Sequence, residues 1–193
     1  MKTRSPSPDA TRARGARASL GIAVARLGRD QRGATAVEFS LVAVPFFALI
    51  FAIFNTAFAI FAANTLETAV ADTARLIRTG QAQTSGLTAD TFKAKICGQL
   101  VYMFNCNAGL YVDVETYPTF GTIALSLPLD TNKNLKTTGY AFTPGHGGDI
   151  VVVRAFYAWP IIVNGLGNNF TNLGNGDLLL AATSAFRNEP FSW

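Results

Sequence analysis

From Phe39 to Leu66 the chain runs 28 residues without a charged side chain. Phe46, Phe47, Leu49, Ile50, Phe51, Ile53 and Phe54 crowd its middle, and Phe58, Ile60 and Phe61 follow. As an α-helix, the 25 residues from Phe39 to Ala63 rise about 37 Å, enough to cross a hydrocarbon core of about 30 Å with some tilt. Pro45 lies inside the span; it removes one backbone donor and predicts a kink or loosening near the start, which membrane helices tolerate when neighbours compensate. The competing reading, a buried helix of a soluble core, fits poorly with the length of the run and with the basic flank on one side only.

That flank is Lys2, Arg4, Arg12, Arg14, Arg17, Arg26, Arg29 and Arg32 against Asp9 and Asp30, so residues 1–33 carry +6 of a chain whose net charge is +4. The basic character belongs to this arm and gives no reason to expect the main domain to bind nucleic acid. Rich in Arg, Ser, Pro and Ala, with no aromatic residue before Phe39, the arm reads as a solvated, unfolded segment. Lys and Arg beside a span stay cytoplasmic, and only Arg75 and Arg78 follow within about 15 residues, so the N-terminus is expected inside and the C-terminal domain outside. An Arg-rich, acid-poor arm also fits a mitochondrial presequence, whereas a cleaved secretory signal has a shorter apolar core, of about 7 to 15 residues. The 193 residues allow one small domain beyond an anchor. One His and two Cys exclude a zinc site built from His and Cys alone, an iron–sulfur cluster and a multi-disulfide framework.

The junction reads Arg32-Gly33-Ala34-Thr35-Ala36-Val37-Glu38-Phe39, a basic tract meeting the apolar run with a carboxylate at the membrane's edge. If the chain is cut after Gly33, Glu38 becomes the fifth residue and a new α-amino group lies about one helical turn away. A carboxylate there is costly unless paired, and a neighbouring subunit's terminal ammonium is a suitable partner. Equally, Glu38 in the first turn of a helix is stabilised by the dipole and kept wet by the headgroups. The residues alone leave both open.

This junction, Pro45, Thr65-Leu66-Glu67-Thr68-Ala69 and Ala74-Arg75-Leu76-Ile77-Arg78-Thr79-Gly80-Gln81 resemble the TadE/TadG-like family of Tad pilus assembly proteins. The later segments around Cys97, Cys106, Tyr111–Val114, Asp149–Arg154 and Ala185–Phe191 are similar to the outer domain of its alphaproteobacterial members. The resemblance implies a minor pilin or pseudopilin anchored in the bacterial inner membrane by one helix, with its head in the periplasm. It makes Gly33 the last leader residue, Ala34 the mature N-terminus and Glu38 the recognition carboxylate. The implied partners are other pilin-like subunits, the Tad inner-membrane platform, a prepilin peptidase and the lipid bilayer, with no nucleic acid and no cofactor. Phe39 departs from the Tyr often found next, and Asn55 stands where many relatives carry Glu.

Beyond the span, Leu66, Val70, Thr73 and Ile77 keep helical spacing and Gly80 is a stop, so the helix is expected to run from Ala34 to Thr79, about 69 Å. Thr88 caps a second helix, Leu87 and Phe92 form a hydrophobic staple, and Phe92, Ile96, Leu100 and Met103 make its apolar stripe. Cys97 and Cys106 would stand about 13.5 Å apart along an unbroken helix, beyond the roughly 7 Å limit for a disulfide. A bridge therefore needs the helix to end near Phe104 or Asn105; an oxidising periplasm favours it over two buried thiols. Strands are expected at Leu110–Thr116, with Tyr111, Asp113 and Glu115 on the exposed face, and at Thr122–Leu127, Ile150–Trp159 and Leu178–Phe186. Residues 130–148 and 164–177 read as exposed loops.

Thr143-Pro144-Gly145-His146-Gly147-Gly148-Asp149 lacks the Lys-Ser or Lys-Thr of a phosphate loop and reads as a turn. Ser126, His146 and Asp149 make no triad, since no nucleophile elbow surrounds a Ser. Asn169-Phe170-Thr171 is a chance sequon, and Trp159 and Trp193 are packing or interface residues.

The expected architecture is α+β: a long N-terminal transmembrane helix continuing into a periplasmic head whose antiparallel sheet packs on helices. Its parts are a basic cytoplasmic leader (1–33), the transmembrane helix (34–63), its outward continuation (64–80) and the head (81–193). The expected function is non-enzymatic association during Tad-type pilus assembly; the alternative is an uncleaved, membrane-tethered periplasmic binding or envelope protein with no pilus role.

Overall fold

The computed structural model describes residues 33–100, 104–161 and 171–191. The basic arm through Arg32, Met103, residues 162–170 with the Asn169 sequon, and Trp193 lie outside the described residues. The chain divides into two compact units, Met1–Ile50 and Phe51–Trp193.

Helix α1 spans Ala34–Arg78 without interruption at Pro45. In the first unit its apolar side chains are exposed, among them Val37, Phe39, Leu41, Phe46 and Leu49. In the second unit it acquires a buried stripe, Ala59, Ala62, Leu66, Ala69, Val70, Thr73, Ala74 and Ile77, at the three- and four-residue spacing of one helix face. Burying Leu66, Val70 and Ile77 contributes about 2 kcal/mol each. The helix stops because Gly80 takes φ 78°, where a Cβ is disfavoured, and its N–H donates to the Ile77 carbonyl.

After a single turn, α2 (Gln81–Thr84), helix α3 (Ala89–Gln99) opens with a capping box in which Thr88 and Thr91 exchange side-chain-to-backbone hydrogen bonds. It ends sooner than the sequence predicts, at Gln99, because Gly98 weakens it and Leu100 turns to extended backbone. Gln99 then donates to the Thr73 hydroxyl of α1 at 3.1 Å. A short turn, α4 (Cys106–Gly109), leads into the sheet.

Strands β1 (Leu110–Tyr117), β2 (Ile150–Trp159) and β3 (Leu178–Arg187) form an antiparallel sheet in the order β1-β2-β3. Alternation sends Val114, Val151, Val153, Ala155, Tyr157, Leu180 and Ala182 toward the stripe of α1 and toward Phe92 and Ile96 of α3. The fold is the expected α+β arrangement.

Three expectations are corrected. Residues 122–127 form no strand: Phe120–Thr122 is a 3₁₀ turn, Pro118 and Pro128 bracket the segment, and Leu125 and Leu127 lie exposed. The stretch 130–148 is not simply an exposed loop. The Val114 N–H donates to the Ala141 carbonyl and the Thr143 N–H to the Val114 carbonyl, so residues 141–143 lie along the outer edge of β1 and set Phe142 against Phe92. Nor is the Tyr111–Asp113–Glu115 face open, since Tyr140 stacks on Tyr111 and Asp113 is 3% exposed. Phe156, Leu173 and Leu179, with Leu129, Leu135 and Tyr140, form a second small core there.

Candidate functional site

Gly33 is exposed and immediately precedes α1, and Ala34 is its first residue. Apart from its chain neighbours, no described residue lies within 4 Å of the position a Gly33 Cβ would take. Glu38 is the fifth residue of α1 and exposed, so the first turn holds no acidic residue. The first-turn placement weighed for Glu38 is therefore corrected: the carboxylate lies one turn inside, where stabilisation by the dipole fades. No hydrogen bond or ion pair joins Glu38 to another described residue.

Along α1 several hydroxyl side chains bond back to the helix. Ser40 donates to the Ala36 carbonyl at 2.7 Å, Thr56 to Ala52 at 2.9 Å and Thr65 to Phe61 at 2.8 Å. Each hydroxyl thus spends its proton inside the helix, as an apolar surrounding requires. By length and composition α1 is a candidate membrane-spanning helix, with a mean hydropathy of 2.4 over an 18-residue window. None of that window is buried, which sets it apart from the core helix of a soluble protein.

Cys97 on α3 and Cys106 at the start of α4 are disulfide-bonded, with Cα atoms 5.9 Å apart. The break after Gln99 lets the chain double back over this distance. Below the bridge, the Asn105 N–H donates to the Tyr157 hydroxyl at 3.0 Å, and Phe104 packs edge-on against the Tyr157 ring with centroids 4.9 Å apart. Gly109 passes under that ring so closely that a Cβ would lie 2.7 Å from it. The bridge fastens α3 to α4, beside Tyr157 of β2, and lies far in sequence from Gly33 and Glu38.

Two polar clusters of the second unit are structural. Arg154 of β2 bonds the Asp113 carboxylate at 2.5 Å and the Ser126 carbonyl at 3.1 Å, and the Ala141 N–H completes the acceptor set of Asp113 at 2.9 Å. In the Gly-rich turn, the Asp149 carboxylate accepts the backbone N–H of His146 at 2.7 Å. Asn188 holds the same turn by donating to the Pro144 and His146 carbonyls, and Gln83 reaches Pro144 at 3.0 Å. Asp149 therefore shapes a turn, and Ser126 meets Arg154 through its carbonyl.

Tyr140 donates to the Lys136 carbonyl at 2.6 Å; burial, then the electrostatics of Tyr111 and Asp113, push its pKa up to about 12. The Tyr117 phenol is raised because it donates to the Glu115 carboxylate at 2.5 Å and is partly desolvated.

The second unit also holds an apolar groove of about 230 Å³ that the sequence does not disclose. Asn55, Thr56, Ala59 and Ala63 of α1 form one wall, and Ile161, Leu178 and Leu180 the other. The signal available in the sequence was Asn55 itself, an amide within the apolar run.

Residues 33–75 match the family model described as TadE-like protein. The match covers the junction at Gly33, Glu38 and most of α1. No curated protein and no solved structure matches the chain.

Proposed function

We propose that the protein is a membrane-anchored minor pilin or pseudopilin-like component of Tad-type pilus assembly, acting by protein–protein association rather than catalysis. The observation that carries the reading is the coincidence of the TadE-like match at residues 33–75 with a helix that begins at Ala34 and whose most apolar 18-residue window is unburied. In this reading residues 1–33 are a cytoplasmic leader, α1 crosses the bacterial inner membrane, and the disulfide-bonded α+β head stands in the periplasm. A prepilin peptidase cuts between Gly33 and Ala34. Glu38 then lies within reach of a neighbouring subunit's α-ammonium, which neutralises it as the helices of pilin-like subunits and the platform assemble in the bilayer. The exposed glycine and the unpaired carboxylate support this assignment. Bilayers supply little hydrophobic drive between helices, so this charge pairing and small-residue packing carry the selectivity.

Intact mass and N-terminal sequencing of the membrane-extracted protein from its host test the reading. A chain beginning at Ala34 is expected, and an intact leader overturns the processing assignment. Glu38→Ala is expected to reduce pilus number while the protein still fractionates with the membrane; unchanged piliation refutes the role of Glu38.

A further inference from the structure

The head has a charged end and an apolar end. At one end of the sheet Arg187 pairs in register with Ile150, Arg78 approaches Glu189 at 3.7 Å, and Asp149 holds its turn. At the other end Trp159 pairs with Leu178, and the sequence carries no charged residue between Arg154 and Asp177. Asp177, next to Leu178 at this end, accepts from the Asn175 amide at 2.7 Å.

The apolar end meets α1 inside its charge-free run. Twenty-eight helical residues, Phe39–Leu66, extend about 42 Å, whereas about 20 residues cross a hydrocarbon core. A span that begins at Phe39 therefore ends near Phe58, and the sheet is already packed on the helix at Ala59 and Ala62, 8% and 0% exposed. No spacer separates membrane from head. The groove between Ala59, Ala63, Ile161 and Leu178 opens at this level and is continuous along α1 with the half-exposed Phe58, Ile60 and Phe61. Asn55 lies on the groove's inner wall, and its amide bonds no described residue.

We propose that the apolar end of the head is a lipid-binding surface: the head rests directly on the outer face of the membrane, and the groove takes an acyl chain of a lipid in that leaflet. The proposal rests on α1 crossing the membrane and needs neither cleavage nor a pilus role. An amphipathic face of this kind buries its apolar part at the boundary between headgroups and acyl chains.

The test uses the full chain reconstituted in phosphatidylcholine vesicles, with lipids brominated at carbons 6 and 7 or at 11 and 12. Trp159 and Trp193 are the only tryptophans. Two single-tryptophan proteins in a W159F/W193F background carry Ile161→Trp at the groove and His146→Trp at the charged end; W193F alone leaves Trp159 in its own packing if the double background fails to fold. The Ile161→Trp protein is expected to lose most of its emission to the shallower bromolipid and less to the deeper one, whereas the His146→Trp protein keeps its emission. Trp159 in the W193F protein is expected to be quenched in the same order as the groove reporter. Groove and charged-end reporters that are equally unquenched overturn the proposal. Shielding of the groove reporter from bromolipid that disappears as protein is diluted in lipid also overturns it, assigning the groove to a second copy. Flotation of the same vesicles reads membrane insertion separately, so a failed anchor is told apart from a failed lipid seat.

Discussion

Tyr140 shows how one side chain carries both structure and a pH signature. Its phenol donates to the Lys136 carbonyl and its ring stacks on Tyr111, which closes the second face of the sheet. Half-buried there, it keeps its proton to about pH 12, while in the unfolded chain it releases it near 10. The folded state is thus the stronger proton binder. Its contribution is complete below pH 10 and is lost as pH rises from 10 to about 12. Tyr140→Phe is expected to lower stability by about 1 kcal/mol at neutral pH through the lost hydrogen bond. Denaturant melts should show that deficit shrinking between pH 10 and about 12, because only the wild type loses stability there by this route; a constant deficit contradicts the assignment. The same region shows why residue-level reading stops short. Asp113 alternates with Val112 and Val114, a pattern that points it to solvent, yet Arg154, 41 positions away, pairs with it across β1 and β2. Only the register sets that partner opposite, and breaking such a buried pair from one side costs about 3–5 kcal/mol.

At the scale of elements, boundaries followed from local chemistry wherever a cap or stop was written into the chain. Thr88, Gly80 and the β-branched run of β2 placed α3, the end of α1 and the central strand. The false strand at 122–127 had the right apolar content, but its flanking prolines withhold donors and leave Leu125 and Leu127 exposed. Where residues 141–143 run was illegible because distant hydrogen bonds to Val114 fix it, whereas local bonds such as those of Asp130 and Lys136 shape only the turns before it. The disulfide ties together elements whose separation only the early end of α3 makes short. Closing a loop of about ten residues contributes roughly 3 kcal/mol by constraining the unfolded chain. The Cys97→Ser/Cys106→Ser protein is expected to unfold at correspondingly lower denaturant with its sheet signal intact at zero denaturant. An unchanged midpoint would mean that the Phe104–Tyr157–Trp159 packing alone fastens this corner.

For the whole molecule, the long apolar run decides the class because two environments share one helix. The face toward the sheet is small and closely packed from Ala59 onward, whereas the side chains before it, Leu49 and Ile53 among them, are 61% and 58% exposed. Exposed apolar side chains at this density are unfavourable in water and favourable against lipid, which is what makes α1 a candidate membrane span. The candidate site was legible to the same extent. Gly33, Ala34 and Glu38 stand out because charge, glycine and apolar run meet there, while the groove was not legible, since Ile161 and Leu178 come to α1 only through the sheet. The division predicts contrasting responses to one change. Leu49→Arg together with Ile53→Arg places two guanidinium groups in the span, at about 3 kcal/mol each against insertion. Leu127→Arg, at a position 53% exposed in the second unit, changes no apolar environment. In a membrane-insertion assay with reporter sites on either side of the helix, the double variant is expected to lose most of its insertion and Leu127→Arg none. Equal insertion of both would show that the exposed face of α1 is covered by protein rather than lipid, because only a partner that supplies counter-charge or water leaves two arginines without cost at that depth.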